Sequence, residues 1–137
     1  MPGTLFWDVD TQVDFIMPDG KLYITDAEKI LPNLKRLTDH ARSQHIPIFG
    51  SVDNHSPDDP EISDTPDFQD TFPPHCLTDT PGQKKASEPG PQNPLCIDPE
   101  PADTETWIQK IQSHTGEILF RKQWFDVFTN ANVEPLM

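Results

Sequence analysis

Three short apolar runs separated by stretches of helical periodicity constrain this chain more than any other feature. Residues 4–9, 46–52 and 117–121 are too short for buried helices and apolar on both faces, as strands of a parallel sheet must be. Between the first two, Asp26 precedes a helical stretch in which Leu34, Leu37 and Ala41 recur at i, i+3 and i+7 as one apolar stripe. Pro32 is tolerated if it lies in the first turn, and Pro47 falls near a strand start, where a missing donor does least harm. Thr104 caps a second helix carrying Trp107, Ile108 and Ile111, and Gly116 ends it. Strand, helix, strand, loop, helix, strand is the order of a three-layer α/β/α fold with a parallel sheet and crossover connections.

Each apolar run ends in polar groups, and the C-terminal ends of the strands are where open α/β sheets build their sites. Asp10 ends the first run, Asp53 and His55 the second, and Lys122 the third. Asp53 and His55, two residues apart, project to one side and can share an ion. His75 follows Phe72-Pro73-Pro74, whose restricted backbone lowers the entropy lost on binding. Two imidazoles and a carboxylate suit one divalent ion, Zn, Fe or Mn. The segment after Asp53 lacks the alternating ligands and central Gly of a calcium loop. The plainer alternative makes Asp53 and His55 a loop pair and packs His75 on the prolines. Likewise Asp10 alone could be a cap and Lys122 a solvated group. Asp8 and Asp14 compete with Asp10, and at period two Asp8 shares its face.

From Asn54 to Glu100 no periodicity appears, and 11 of the 16 prolines fall between Pro57 and Pro101. A structureless segment of that length needs a function or is disordered. Residues 54–82 are read as an ordered loop pinned by a metal, and 83–101 as a mobile surface insertion in a single incomplete domain. The formal charge of −13 argues against nucleic acid and against an anionic membrane surface. No apolar run approaches spanning length and no signal peptide opens the chain. Two cysteines make no disulfide framework, so a reducing, cytoplasmic setting is expected.

Val9-Asp10-Thr11-Gln12-Val13-Asp14-Phe15, Ser51-Val52-Asp53-Asn54-His55, Phe72-Pro73-Pro74-His75-Cys76 leading to Thr80-Pro81-Gly82, and Phe120-Arg121-Lys122 occur in that order. Together they resemble the isochorismatase-like cysteine hydrolases, and among them the nicotinamidases. The resemblance implies hydrolysis of the C–N bond of a small amide such as nicotinamide, giving acid and ammonia. It makes Asp10 the proton carrier and Lys122 the cation between carboxylate and thiolate. It makes Asp53, His55 and His75 metal ligands, with Glu61 (Asp64 second) as the fourth, and Phe15 and Phe72 the substrate walls. Phe15 is nearly as well explained as core. The family's nucleophilic Cys lies beyond Lys122, after a further helix and strand, and the chain stops at Met137 before reaching it. Cys76 and Cys96 are not at that motif, and Cys96 has no basic neighbour in sequence to activate it. The expectation is therefore a fragment inactive by itself, with an exposed sheet edge that favours homo-oligomers. The alternatives are a non-catalytic, metal-stabilised binding or regulatory fragment using the aromatic Ile118-to-Phe128 segment, and a hydrolase using only metal-bound water.

Overall fold

The computed structural model describes residues 3–137. Strands β1 (Phe6–Val9), β2 (Ile48–Asp53), β3 (Leu95–Ile97) and β4 (Ile118–Lys122) form one parallel sheet in the order β1-β2-β4-β3. Helices α1 (Val13–Ile16), α2 (Leu31–Ser43), α3 (Thr104–Ser113) and α4 (Val133–Leu136) and three short 3-10 turns connect them. The expected α/β class and parallel sheet are therefore present.

Alternation along the strands divides the core. On one face Ile97, Ile118 and Phe120 pack with Val133, flanked by Trp7, Phe49, Trp107 and Ile111. Trp7 and Phe120 stack at 5.7 Å. On the other face α2 brings the His40 ring to 6.4 Å from Phe6 and pairs Arg42 with Glu117 at 2.5 Å. Phe120 is fully buried at the centre of the first cluster. Phe120→Ala should therefore cost about 3–5 kcal/mol, the usual range for removing a buried ring, measured by denaturant unfolding. A loss below about 0.5 kcal/mol, the level of surface changes, would mean that Phe120 does not hold the core.

Four local expectations are corrected. Leu37 is 54% exposed, and the inward face of α2 is Leu34, Thr38 and Ala41. Thr38 joins that face because its hydroxyl donates to the Leu34 carbonyl at 3.0 Å, removing the cost of burying it. Asp103, not Thr104, caps α3, its carboxylate accepting from the Thr106 amide. The helix ends at Ser113, ahead of Gly116. The segment 83–101, read as an insertion, contributes β3 to the sheet instead. Three residues between Pro94 and Pro99 are too few for a periodic signal, and an edge strand tolerates the nearby prolines.

The loop 54–82 is stitched to itself by backbone contacts. His55 and Leu77 form a parallel bridge, as do Ile62 and Phe72. The Asp67 carboxylate gathers the amides of Gln69, Asp70 and Thr71. Protein hydrogen bonds therefore already give this loop its course.

Candidate acid–base pair and metal centre

The site assembles where β1, β2 and β4 end. In register, Asp53 of β2 lies opposite Lys122 of β4, so the parallel ladder itself brings carboxylate and ammonium together. Lys122 is 2% exposed in its side chain, and its Nζ donates to Asp53 Oδ1 and to the Trp124 carbonyl at 3.0 Å. The same Nζ lies 3.0 Å from Asp10 Oδ2. Burial would lower the Lys122 pKa, but Asp53 and Asp10 outweigh it and raise it, so the ammonium stays charged.

Asp10 reaches this face through backbone geometry. Its φ of 49° takes it out of the strand conformation, and Ser51 Oγ donates to its Oδ1 at 2.7 Å. Asp8 and Asp10 therefore do not share a face as period two requires. Asp8 pairs with Lys85 (3.3 Å) and accepts from the Thr11 hydroxyl (2.7 Å) on the far side of the sheet. Asp14 is a structural anchor, its carboxylate accepting from the amides of Cys76 (2.7 Å) and Lys21 (3.1 Å). Gly82 is needed beside it, because a Cβ there would lie 2.1 Å from Asp14 Oδ2.

Asp53, His55 and His75 are all buried, and one potential ligand atom from each falls within 4.8 Å of the others. Asp53 Oδ2 is 3.7 Å from His55 Nε2 and 3.8 Å from His75 Nε2, and Glu61 Oε2 is 3.7 Å from His55 Nε2. These gaps exceed hydrogen bonds, yet ligands each about 2.1 Å from one tetrahedral ion stand roughly 3.4 Å apart. His55 Nε2 is buried with no hydrogen-bond partner, which an ion would satisfy. The other imidazole nitrogens are spoken for: His55 Nδ1 lies 3.1 Å from Asp59 Oδ2, and His75 Nδ1 is 2.7 Å from the Pro73 carbonyl. Both contacts leave Nε2 available to an ion, the arrangement that outer-shell partners impose on metal-binding histidines. The residues present therefore fit a divalent ion. Of the two candidates for the fourth position, Glu61 is buried toward His55 and Asp64 is exposed.

The electrostatics match. Burial alone would raise Asp53, but His55, His75 and Lys122 together hold it well below the usual carboxylate range. Burial raises Glu61 above the ordinary glutamate value. Burial is offset at His55, where Asp53 and Asp59 raise the imidazole. Asp59→Ala, which removes the partner of His55 Nδ1, should weaken metal affinity about 10–100-fold, read by competition with a chromophoric chelator. Unchanged affinity would show that Asp59 does not orient the ring.

Phe15 and Phe72 border the centre, their rings 5.5 and 6.4 Å from the His75 ring. Phe125 extends that wall, 5.6 Å from Phe72, and is 74% exposed. The Ile118-to-Phe128 segment is divided: Ile118 and Phe120 are core, whereas Trp124, Phe125 and Phe128 are exposed. Sequence reasoning missed Gln12, which is fully buried. Its amide nitrogen donates to the carbonyls of Asp53 and Gln83 (2.8 Å each), and its oxygen accepts from the Asp53 amide (2.7 Å). Gln12 thereby clamps the backbone of Asp53, and only its place between Asp10 and Asp14 hinted at a role.

A parallel α/β sheet presenting a buried Lys–Asp–Asp cluster beside a His-carboxylate centre at its strand ends defines the class. The isochorismatase domain family model matches residues 5–137, and the chain belongs to that family. Its fold is similar to the pyrazinamidase/nicotinamidase of Streptococcus mutans UA159 (TM-score 0.60, 22% identity, 90% of this chain and 59% of that one). It is also similar to the nicotinamidase/pyrazinamidase of Bacillus subtilis (TM-score 0.63, 19% identity, 92% and 59%). The yeast nicotinamidase gives a TM-score of 0.54 at 19% identity, with 86% and 56% covered. The chain thus spans less than two thirds of the length of these structures. No curated protein matches it by sequence.

Proposed function

We propose that this chain carries the acid–base and metal half of an amide hydrolase that converts a small amide, nicotinamide or a relative, and water to an acid and ammonia. The observation that carries this reading is the buried Lys122 ammonium held between the carboxylates of Asp10 and Asp53. In the proposed reaction Asp10 takes a thiol proton and later gives it to the departing ammonia. Lys122 holds the thiolate in register with Asp10, since a neighbouring cation favours the charged sulfur. Phe15 and Phe72 sandwich the flat substrate. A divalent Zn, Fe or Mn ion on Asp53, His55, His75 and Glu61 would add a Lewis acid that orients the substrate.

Neither cysteine suits the nucleophile's part. Cys76 is buried, and burial together with the charges of Asp53, Asp14 and Asp10 raises its thiol far above the ordinary range. Cys96 lies on β3, outside the Asp10–Lys122 cluster. The proposal therefore assigns the thiol to a segment beyond these 137 residues. We further propose self-association through the open edge of β1, where Val9 is exposed, and a reducing, cytoplasmic setting, in keeping with two free thiols. The position of the cysteines also favours a second reading, a metal-stabilised binding or regulatory chain without catalysis.

Ammonia release from nicotinamide separates these readings. The 137-residue chain should release none above background, and the chain joined to a family segment carrying the Cys should release it steadily. Turnover by the short chain that survives Cys76→Ala would favour metal-activated water instead, and turnover lost in that variant would make Cys76 the nucleophile. No turnover in the extended, metal-loaded chain would leave the binding reading.

A further inference from the structure

We propose that the cleft between the sheet and residues 83–94 is a binding site for a phosphate-sized oxyanion, gripped by Arg121 from β4 and Lys84 from the facing segment. The cleft has a volume of about 290 Å³, room for an oxyanion with several waters at about 30 Å³ each. Val52, Cys96 and Leu119 form its sheet wall, and Lys84, Lys85 and Arg121 bring three cations to it. Asp8 beside Lys85 (3.3 Å) and Asp98 beside Arg121 (2.9 Å) stand outside the lining, which itself carries no carboxylate, in a chain of 23 acidic and 10 basic residues. In so acidic a protein an anion meets general repulsion, so holding one needs local cations whose charge is not fully spent on carboxylates.

The three cations are not equivalent. Lys85 is fully engaged, its buried Nζ donating to the carbonyls of Asp8 (3.1 Å) and Ser51 (3.0 Å) and paired with the Asp8 carboxylate (3.3 Å). Arg121 gives one nitrogen, Nη1, to Asp98 at 2.9 Å, and its buried Nε has no acceptor in the protein. A guanidinium carries five donors in a planar fork that matches an oxyanion, so much of its capacity is uncommitted. Lys84 is exposed and makes no ion pair among the described residues. Arg121 and Lys122 are successive in β4 and point to opposite faces. The cleft is therefore separate from the metal centre and stands independently of the reaction proposed above. An anion joining Arg121 to Lys84 would tether the segment whose Gln83 carbonyl accepts from Gln12.

Cys96 supplies a local reporter, because it lines the cleft and is partly exposed while Cys76 is buried. Arg121 also stands beside it, a basic neighbour that chain order conceals. Alkylation of Cys96 by neutral iodoacetamide, followed by mass spectrometry at constant ionic strength, reads occupancy. Inorganic phosphate at ten times its Kd should slow the modification about tenfold, by mass action. Lys84→Gln and Arg121→Gln should each remove the protection, and the exposed Lys84 variant is the one certain to leave the core untouched. A nucleoside monophosphate run in parallel distinguishes the source. Protection at lower concentration than phosphate assigns the site to an organic phosphomonoester, and equal or weaker protection assigns it to free phosphate. Alkylation indifferent to both anions, or protection that persists in the Lys84 variant, would overturn the site.

Discussion

Asp10→Asn, in a chain joined to the family's cysteine segment, is expected to lower kcat for ammonia release by about 10²–10⁴-fold, the usual worth of a positioned general base. The amide keeps the size of the side chain and can still accept from Ser51 Oγ, so the variant should fold with its sheet intact. It cannot take the thiol proton or return it to the leaving group. Because the lost interaction belongs to proton transfer, KM should change little while kcat falls. Circular dichroism and metal content provide the controls, since Asp10 makes its contacts with Ser51 and Lys122 rather than with the histidines. A variant retaining more than about a tenth of the activity, far outside the general-base range, would remove Asp10 from the acid–base role.

The second large effect concerns the ion. The wild-type protein should retain close to one equivalent of a transition metal after dialysis, and His75→Ala should lose it. Removing a ligand deletes a bond as well as its orientation, so the affinity loss should exceed the about 10–100-fold typical of outer-shell changes. Elemental analysis decides: absence of metal from both proteins, even after loading, sinks the centre. The pH dependence has a definite sign. A ligand imidazole must be neutral, so protons compete with the ion. Burial opposes protonation of His55, but Asp53, Asp59 and Glu61 outweigh it and raise its pKa. The apparent metal affinity should therefore begin to fall, as pH is lowered, above the pH at which an ordinary imidazole titrates. An apparent affinity that does not change with pH through and below that range would argue that His55 is not a ligand.

Part of this site was legible because strands declare their ends. Three apolar runs, each followed by a carboxylate, imidazole or ammonium, put Asp10, Asp53 and Lys122 near one another once the sheet is parallel, and register did bring Asp53 opposite Lys122. Spacing could not reveal β3, because three residues carry no period, and it assigned that stretch to an insertion. Nor could it find Gln12 or Asp59. A buried glutamine that clamps a strand end and an aspartate that orients a ring look the same in sequence as any polar loop residue.

By itself the sequence determined the α/β class, the strand ends that bear the chemistry, and the types of group delivered there, because hydrophobic period and residue chemistry are local properties. The tertiary structure alone decided which carboxylate faces which cation. The positive φ of Asp10 breaks the alternation, sending Asp10 to Lys122 and leaving Asp8 to Lys85. Likewise, the burial of Glu61, the first of the two candidates, beside His55 follows from the path of a loop held by bridges between residues far apart in sequence. Such pairings depend on distances across strands and loops, and no spacing along the chain encodes them.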